Sequence, residues 1–139
     1  LGADPAAIRR LRGQIMKLRM RGSSLRLRLT RTEVQRLSGA EGTVVDVVRF
    51  GPTTSLTYRV CCVDAASVVA SLHDTTIDVA VPRTMVDAWA SSDQVGFEAD
   101  QPVGGDGQLR IIVEKDWTCL TARAGEDDVD TFPNPNNTC

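Results

Sequence analysis

Histidine and aromatic residues are scarce in this sequence. His73 is the one histidine in 139 residues, and the aromatic side chains are Tyr58, Trp89, Trp117, Phe50, Phe97 and Phe132. A single histidine excludes an HExxH metal site, and it leaves a Cys–His nucleophile pair dependent on His73 meeting a cysteine in space. The GxSxG, strand-following GxGxxG and GxxxxGK patterns are missing as well. The hydrolase, dinucleotide and phosphate-loop chemistries that need them therefore have no foothold. Four cysteines are too few for a disulfide scaffold, and Cys61 and Cys62 are neighbours that cannot easily bridge each other. No apolar run approaches the roughly 20 residues that span a bilayer, and no secretory signal opens the chain. The expectation is a cytoplasmic protein with reduced thiols and no membrane contact.

With so few aromatics, the core must rest on Val, Leu, Ile and Ala. The length suits one domain. The hydrophobic share of 42% is ordinary for a globular chain.

Charge is polarised along the chain. Residues 1–36 hold ten Lys/Arg against two acids, and residues 90–139 hold three against ten, inside a formal total of −2. KLRMR (17–21) and LRLRLT (25–30) alternate strictly. Period two predicts strands with Leu18, Met20, Leu25, Leu27 and Leu29 on one face and Lys17, Arg19, Arg21, Arg26 and Arg28 on the other. The GSS between them suits a hairpin. Thr30 followed by Glu33 reads as a capping box opening a short helix.

β-branched strands follow at 43–50, 55–62, 66–73 and 75–82, then a second short helix over 81–92 and strands at 94–100 and 108–117. The expected fold is α+β: a mainly antiparallel, strongly curled eight-stranded sheet or small β-barrel with two short helices. The sequence shows no internal repeat. Residues 1–15 read as an N-terminal extension, possible as a short helix behind Asp4 and Pro5 but foreign to the native chain, because MKLRMRG at Met16 reads as a natural start. Residues 16–118 form the β-rich domain. Residues 119–139 form an acidic tail with Pro133 and Pro135, expected to dock on the domain, with its acids on the face of Arg19, Arg21, Arg26 and Arg28; Phe132 offers an anchor for it.

Four blocks, MKLRMRGSSLRLRLTRTEV, ASSDQVGFEA, LRIIVEKDWTCL and EDDVDTFPNPNNTC, resemble an uncharacterised family of small soluble bacterial proteins of unknown function. The resemblance runs from Met16 onward. It implies a soluble bacterial protein and supplies no activity, so no catalytic residue is carried over from it.

Two places could hold chemistry. The face of Arg19, Arg21, Arg26 and Arg28 gathers like charges that repel, so something must offset them. Solvent and scattered acids, the chain's own Glu126–Asp130 stretch, or a small anion or polyphosphate are the alternatives. Nucleic acid is disfavoured by a pI of about 5.3 and by the lack of interleaved aromatics. A triphosphate-tunnel type of enzyme is disfavoured because no E-x-E-x-K run exists.

The closing segment is the second place. Cys119 and Cys139 with Asp127, Asp128 and Asp130 could hold a Zn-like divalent metal. The same segment also reads as a plain surface tail, or as one pinned by a Cys119–Cys139 bridge. The leading expectation is a non-enzymatic binding module for a protein partner or small anion. Metal binding and anion binding are its alternatives.

Overall fold

The computed structural model describes residues 16–117 and 132. Eight strands and two helices follow in order: β1 (Lys17–Met20), β2 (Ser24–Leu29), α1 (Arg31–Ser38), β3 (Thr43–Arg49), β4 (Ser55–Val63), β5 (Val69–His73), β6 (Thr76–Pro82), α2 (Arg83–Ala90), β7 (Gly96–Pro102) and β8 (Gln108–Lys115). The α+β composition is as expected, but the strands make neither a single, strongly curled eight-stranded sheet nor a closed barrel. They form two four-stranded sheets, ordered β1-β2-β8-β7 and β3-β4-β6-β5. Each sheet is mixed. Its outer pairs are antiparallel, and its central pair, β2 with β8 or β4 with β6, is parallel. Alternation in the sequence fixes which face a side chain takes; it does not say which strand lies alongside.

The local reasons for each element are legible. Gly22 has φ +56, which a tight hairpin turn needs, and Arg21 and Ser24 exchange backbone bonds of 3.2 and 3.1 Å around it. Helix α1 opens on the expected capping box: Thr30 Oγ1 accepts from Glu33 N, and Glu33 Oε1 accepts from Thr30 N at 2.9 Å. Its buried side is Val34 and Leu37, and that of α2 is Val86 and Trp89. The two helices pack on one another.

The two halves of the chain are copies in topology. The first half runs β1-β2-α1-β3-β4 and the second β5-β6-α2-β7-β8. The register repeats as well. Raising each number by 52 turns the β1–β2 pair Lys17↔Arg28 into the β5–β6 pair Val69↔Ala80. After the helix the offset is 53, so Thr43↔Cys61 becomes Gly96↔Glu114. The same offsets carry the parallel pair Leu25↔Ile111 onto Ile77↔Tyr58. This two-fold is a finding that the sequence did not show. Equivalent core positions share only apolar character: Leu27 with Val79, Leu29 with Val81, Leu37 with Trp89, all fully buried.

Each sheet therefore takes one hairpin from each half, and the parallel pairs are the seams. Between the sheets lies one core, with Leu25, Leu27, Leu29, Ile111 and Val113 from one side and Tyr58, Val60, Ile77, Val79 and Val81 from the other. Side-chain stitches join the sheet edges. Gln101 of β7 accepts from Ala70 N at 2.7 Å and donates to Ala70 O at 2.8 Å, so its amide stands in for a neighbouring strand beside β5. Ala70 is buried. Gln101→Ala leaves its N–H and C=O without that partner, and a loss of about 1–3 kcal/mol is expected. Urea unfolding with an unchanged m-value is the check; a loss below the error of the measurement would show that the stitch does not hold the edge.

Candidate functional site

The hairpin of β1 and β2 places Lys17, Arg19, Arg26 and Arg28 on the outward face of its sheet, with Leu25, Leu27 and Leu29 buried beneath. Arg19 and Arg26 are direct cross-strand partners, as are Lys17 and Arg28. Like charges opposed in this way repel. The parallel seam then sets Glu114 beside Arg28. Its Oε1 lies 2.7 Å from Arg28 Nε and 3.6 Å from Arg26 Nε. Gly96 stands beyond Glu114 in the same row; a Cβ there would meet Val113 O at 2.4 Å, so only glycine lets the two strands lie this close.

Further along, Arg110 lies 3.6 Å from both Glu98 and Asp100, and Lys17 Nζ is 3.1 Å from Asp116. Arg19 and Arg21 have no carboxylate partner among the described residues. Two shallow depressions lie here. One of about 100 Å³ is lined by Arg19, Arg21, Ser24, Arg26 and Ile112; the other, of about 140 Å³, by Lys17, Leu18, Arg19, Arg26 and Arg28.

The chain matches a family of unknown function, DUF7009, over residues 16–136. It belongs to that family. No curated protein and no solved structure matches it. The family match takes in both sheets and both helices, and it brings no assigned chemistry, so function has to be read from the side chains.

The proposed metal ligands Cys119, Cys139, Asp127, Asp128 and Asp130 lie outside the described residues, as does the 1–15 stretch. Among the described residues, no group of three or more His, Cys, Asp or Glu could hold a metal ion. Phe132 is described, and it rests on the body of the protein. Its N–H donates to Asp116 O at 2.8 Å, it forms a parallel bridge with Trp117, and the two rings meet edge to face at 5.5 Å. Lys115 Nζ lies 5.1 Å and the Arg31 guanidinium 5.6 Å from the centre of the Phe132 ring. Lys115 is buried, its pKa is lowered by burial, and its ammonium donates to Ser92 O at 2.7 Å.

On the other sheet, Arg59 pairs with Asp78, and Cys61 Sγ donates to Asp78 Oδ1 at 3.4 Å. Burial first, then that hydrogen bond, pushes the Cys61 thiol up to about 11. The thiol is therefore protonated at neutral pH and a poor nucleophile. No helix among the described residues is long and apolar enough to cross a membrane.

One polar cluster went unread in the sequence. Met16 is fully buried, its N–H donates to Asp46 Oδ2 at 3.1 Å, and its C=O accepts from the Tyr58 hydroxyl at 2.8 Å. Glu33 lies in the same region. Burial, opposed by its bonds to Thr30 and reinforced by Asp46, pushes its pKa up to about 7. Burial also raises Asp46, and it pushes Tyr58 up to about 12. The equivalent positions in the second half are Met85, Ala99 and Ile111, all apolar. The one signal in the sequence was Asp46 itself, a charge on the inward phase of TVVDVVR between Val44 and Val48.

A carboxyl whose folded pKa exceeds its unfolded value favours folding at low pH. Between about pH 4.5 and 7 the unfolded chain has released the Glu33 proton while the folded chain keeps it, so stability falls as pH rises through that window and levels off above it. The expected loss is about 3 kcal/mol. Glu33→Gln keeps the capping box, because Gln accepts at the same position. The variant is expected to lose this slope and to gain stability relative to wild type at pH 8. Urea titrations across pH check it, and an unchanged slope would contradict the assignment.

Proposed function

We propose that this protein is a binding module whose cationic face on the β1–β2 hairpin receives an acidic partner. The observation that carries the reading is the comparison within the fold itself. The β5–β6 hairpin has the same register, yet Val69, Ser71, His73, Asp78 and Ala80 stand where β1–β2 has Lys17, Arg19, Arg21, Arg26 and Arg28. The scaffold can be built without five outward cations, because it is built without them once already. Retaining mutually repelling charges at one copy only is what a binding role explains.

Both depressions on this face are lined by Arg19 and Arg26. Arg pairs carboxylates through two parallel donors, which suits an acidic peptide or a small polyanion. The acids already on the face hold Arg28 and Arg110, and exposed pairs of this kind add little to stability. Arg19 and Arg21 are left for the ligand.

The test borrows the residues of the second hairpin. In Arg19→Ser with Arg21→His, each position takes the side chain of its counterpart. The thermal midpoint is expected to stay within about 2 °C of wild type. Binding of a fluorescent hexaglutamate peptide, followed by anisotropy at low salt, is expected to weaken about tenfold or more. Equal binding by variant and wild type would overturn the reading.

A further inference from the structure

The cationic face ends at an open sheet edge, and the hydrogen-bond parity of β1 shows which groups that edge offers. Arg21 and Ser24 exchange backbone bonds, so Arg19–Arg26 and Lys17–Arg28 are the hydrogen-bonded pairs further along the antiparallel ladder. Leu18 and Met20 alternate with them. Their N–H and C=O point away from β2, toward the free side of the sheet, and Met16 has the same parity.

At Met16 both groups are taken, by Asp46 and Tyr58. At Leu18 and Met20 neither is taken among the described residues. The counterpart of Leu18 is Ala70, and there Gln101 fills both groups. The counterpart of Gln101 in the first half is Val48, which has nothing to donate or accept. The two-fold therefore breaks at the strand that carries the cations.

A second feature meets β1 at the same end. A hollow of about 210 Å³ opens beside Met20, Leu25, Leu72, Ile77 and Leu109, and its walls are almost wholly apolar. Met20 and Leu72 are 59% and 68% exposed, too much for side chains that only fill a core. Along β1, then, one face presents Lys17, Arg19 and Arg21, the other sets half-buried Leu18 beside exposed Met20 and the hollow, and between them run two pairs of backbone groups that are unmet among the described residues.

We propose that β1 is a strand-addition site for an extended acidic segment of a partner protein, in which acidic and apolar side chains alternate. The inference rests on the reading of the cationic face above and adds the mode of binding. The partner's backbone takes the N–H and C=O groups of Leu18 and Met20. Its acids lie over Arg19 and Arg21, and its apolar side chains turn toward Met20 and the hollow. A second copy of this chain pairing through β1 is the wrong occupant, because edge-to-edge pairing would oppose Lys17, Arg19 and Arg21 with the same cations.

Three fluorescent peptides of one composition test this on the whole chain: one alternating Glu and Val, one with the Glu and the Val in two blocks, and the alternating one with N-methylated backbone amides. The alternating peptide is expected to bind tightest and to slow amide exchange at Leu18 and Met20. Blocking and N-methylation are each expected to weaken it about tenfold, through lost side-chain alternation and lost backbone donors respectively. Equal binding of all three overturns strand addition while leaving the cationic-face reading intact. No binding by any of them at low salt overturns both.

Discussion

Everything in this fold hangs on two parallel seams. β2 lies beside β8 and β4 beside β6, and each seam joins a hairpin from one half of the chain to a hairpin from the other. Neither sheet can be completed from one half alone. The apolar residues that fill the space between the sheets, Leu27 and Val113 against Val60 and Val79, are likewise shared out between the halves. An isolated hairpin is marginal in water. In this chain the hairpins become stable by interlocking, and burial of a common core is the term that sets the energy.

The interlocking also assigns the outward faces. Because the seam places β8 next to β2, Glu114 comes to lie against Arg28 and Arg26, from 86 and 88 positions further along the chain. The other seam brings Asp78 to Arg59. The scaffold is two-fold, whereas its decoration is not. The cations sit on one hairpin, the Glu33–Asp46–Tyr58 group lies under the start of that hairpin's first strand, and the amide stitch of Gln101 serves only the other edge. Departures from an internal symmetry are informative because the symmetric counterpart shows what folding alone requires.

Much of this was legible in the sequence where the governing physics is local. The Thr30/Glu33 capping box, the strict Leu/Arg alternation of the first hairpin and the succession of strands need only neighbours a few residues apart, and they appear where the sequence places them. The sheet arrangement was not legible, because period two reports a face and not a partner. A meander of antiparallel strands and a swapped pair of mixed sheets have the same alternation. The two-fold escaped for a related reason: Leu27 and Val79, or Leu37 and Trp89, are equivalent in space without resembling one another as residues. Phe132 was legible as an anchor, being an apolar ring in an acidic stretch, while its seat beside Trp117 and Lys115 was not. The pairing of buried Glu33 with half-buried Asp46 could be suspected only from Asp46, because Glu33 was already accounted for by the helix cap.

The interlocked seams make a claim about cooperativity that native-state hydrogen exchange tests directly. If each sheet needs both halves, the slowest amides of β2 and β8 and those of β4 and β6 exchange only through one global opening. They share one opening free energy, equal to that from denaturant unfolding, and one dependence on denaturant. If the amides of one sheet open at a distinctly lower free energy while the other sheet stays protected, the sheets are separable units and the seams do not bind the two halves into one cooperative fold.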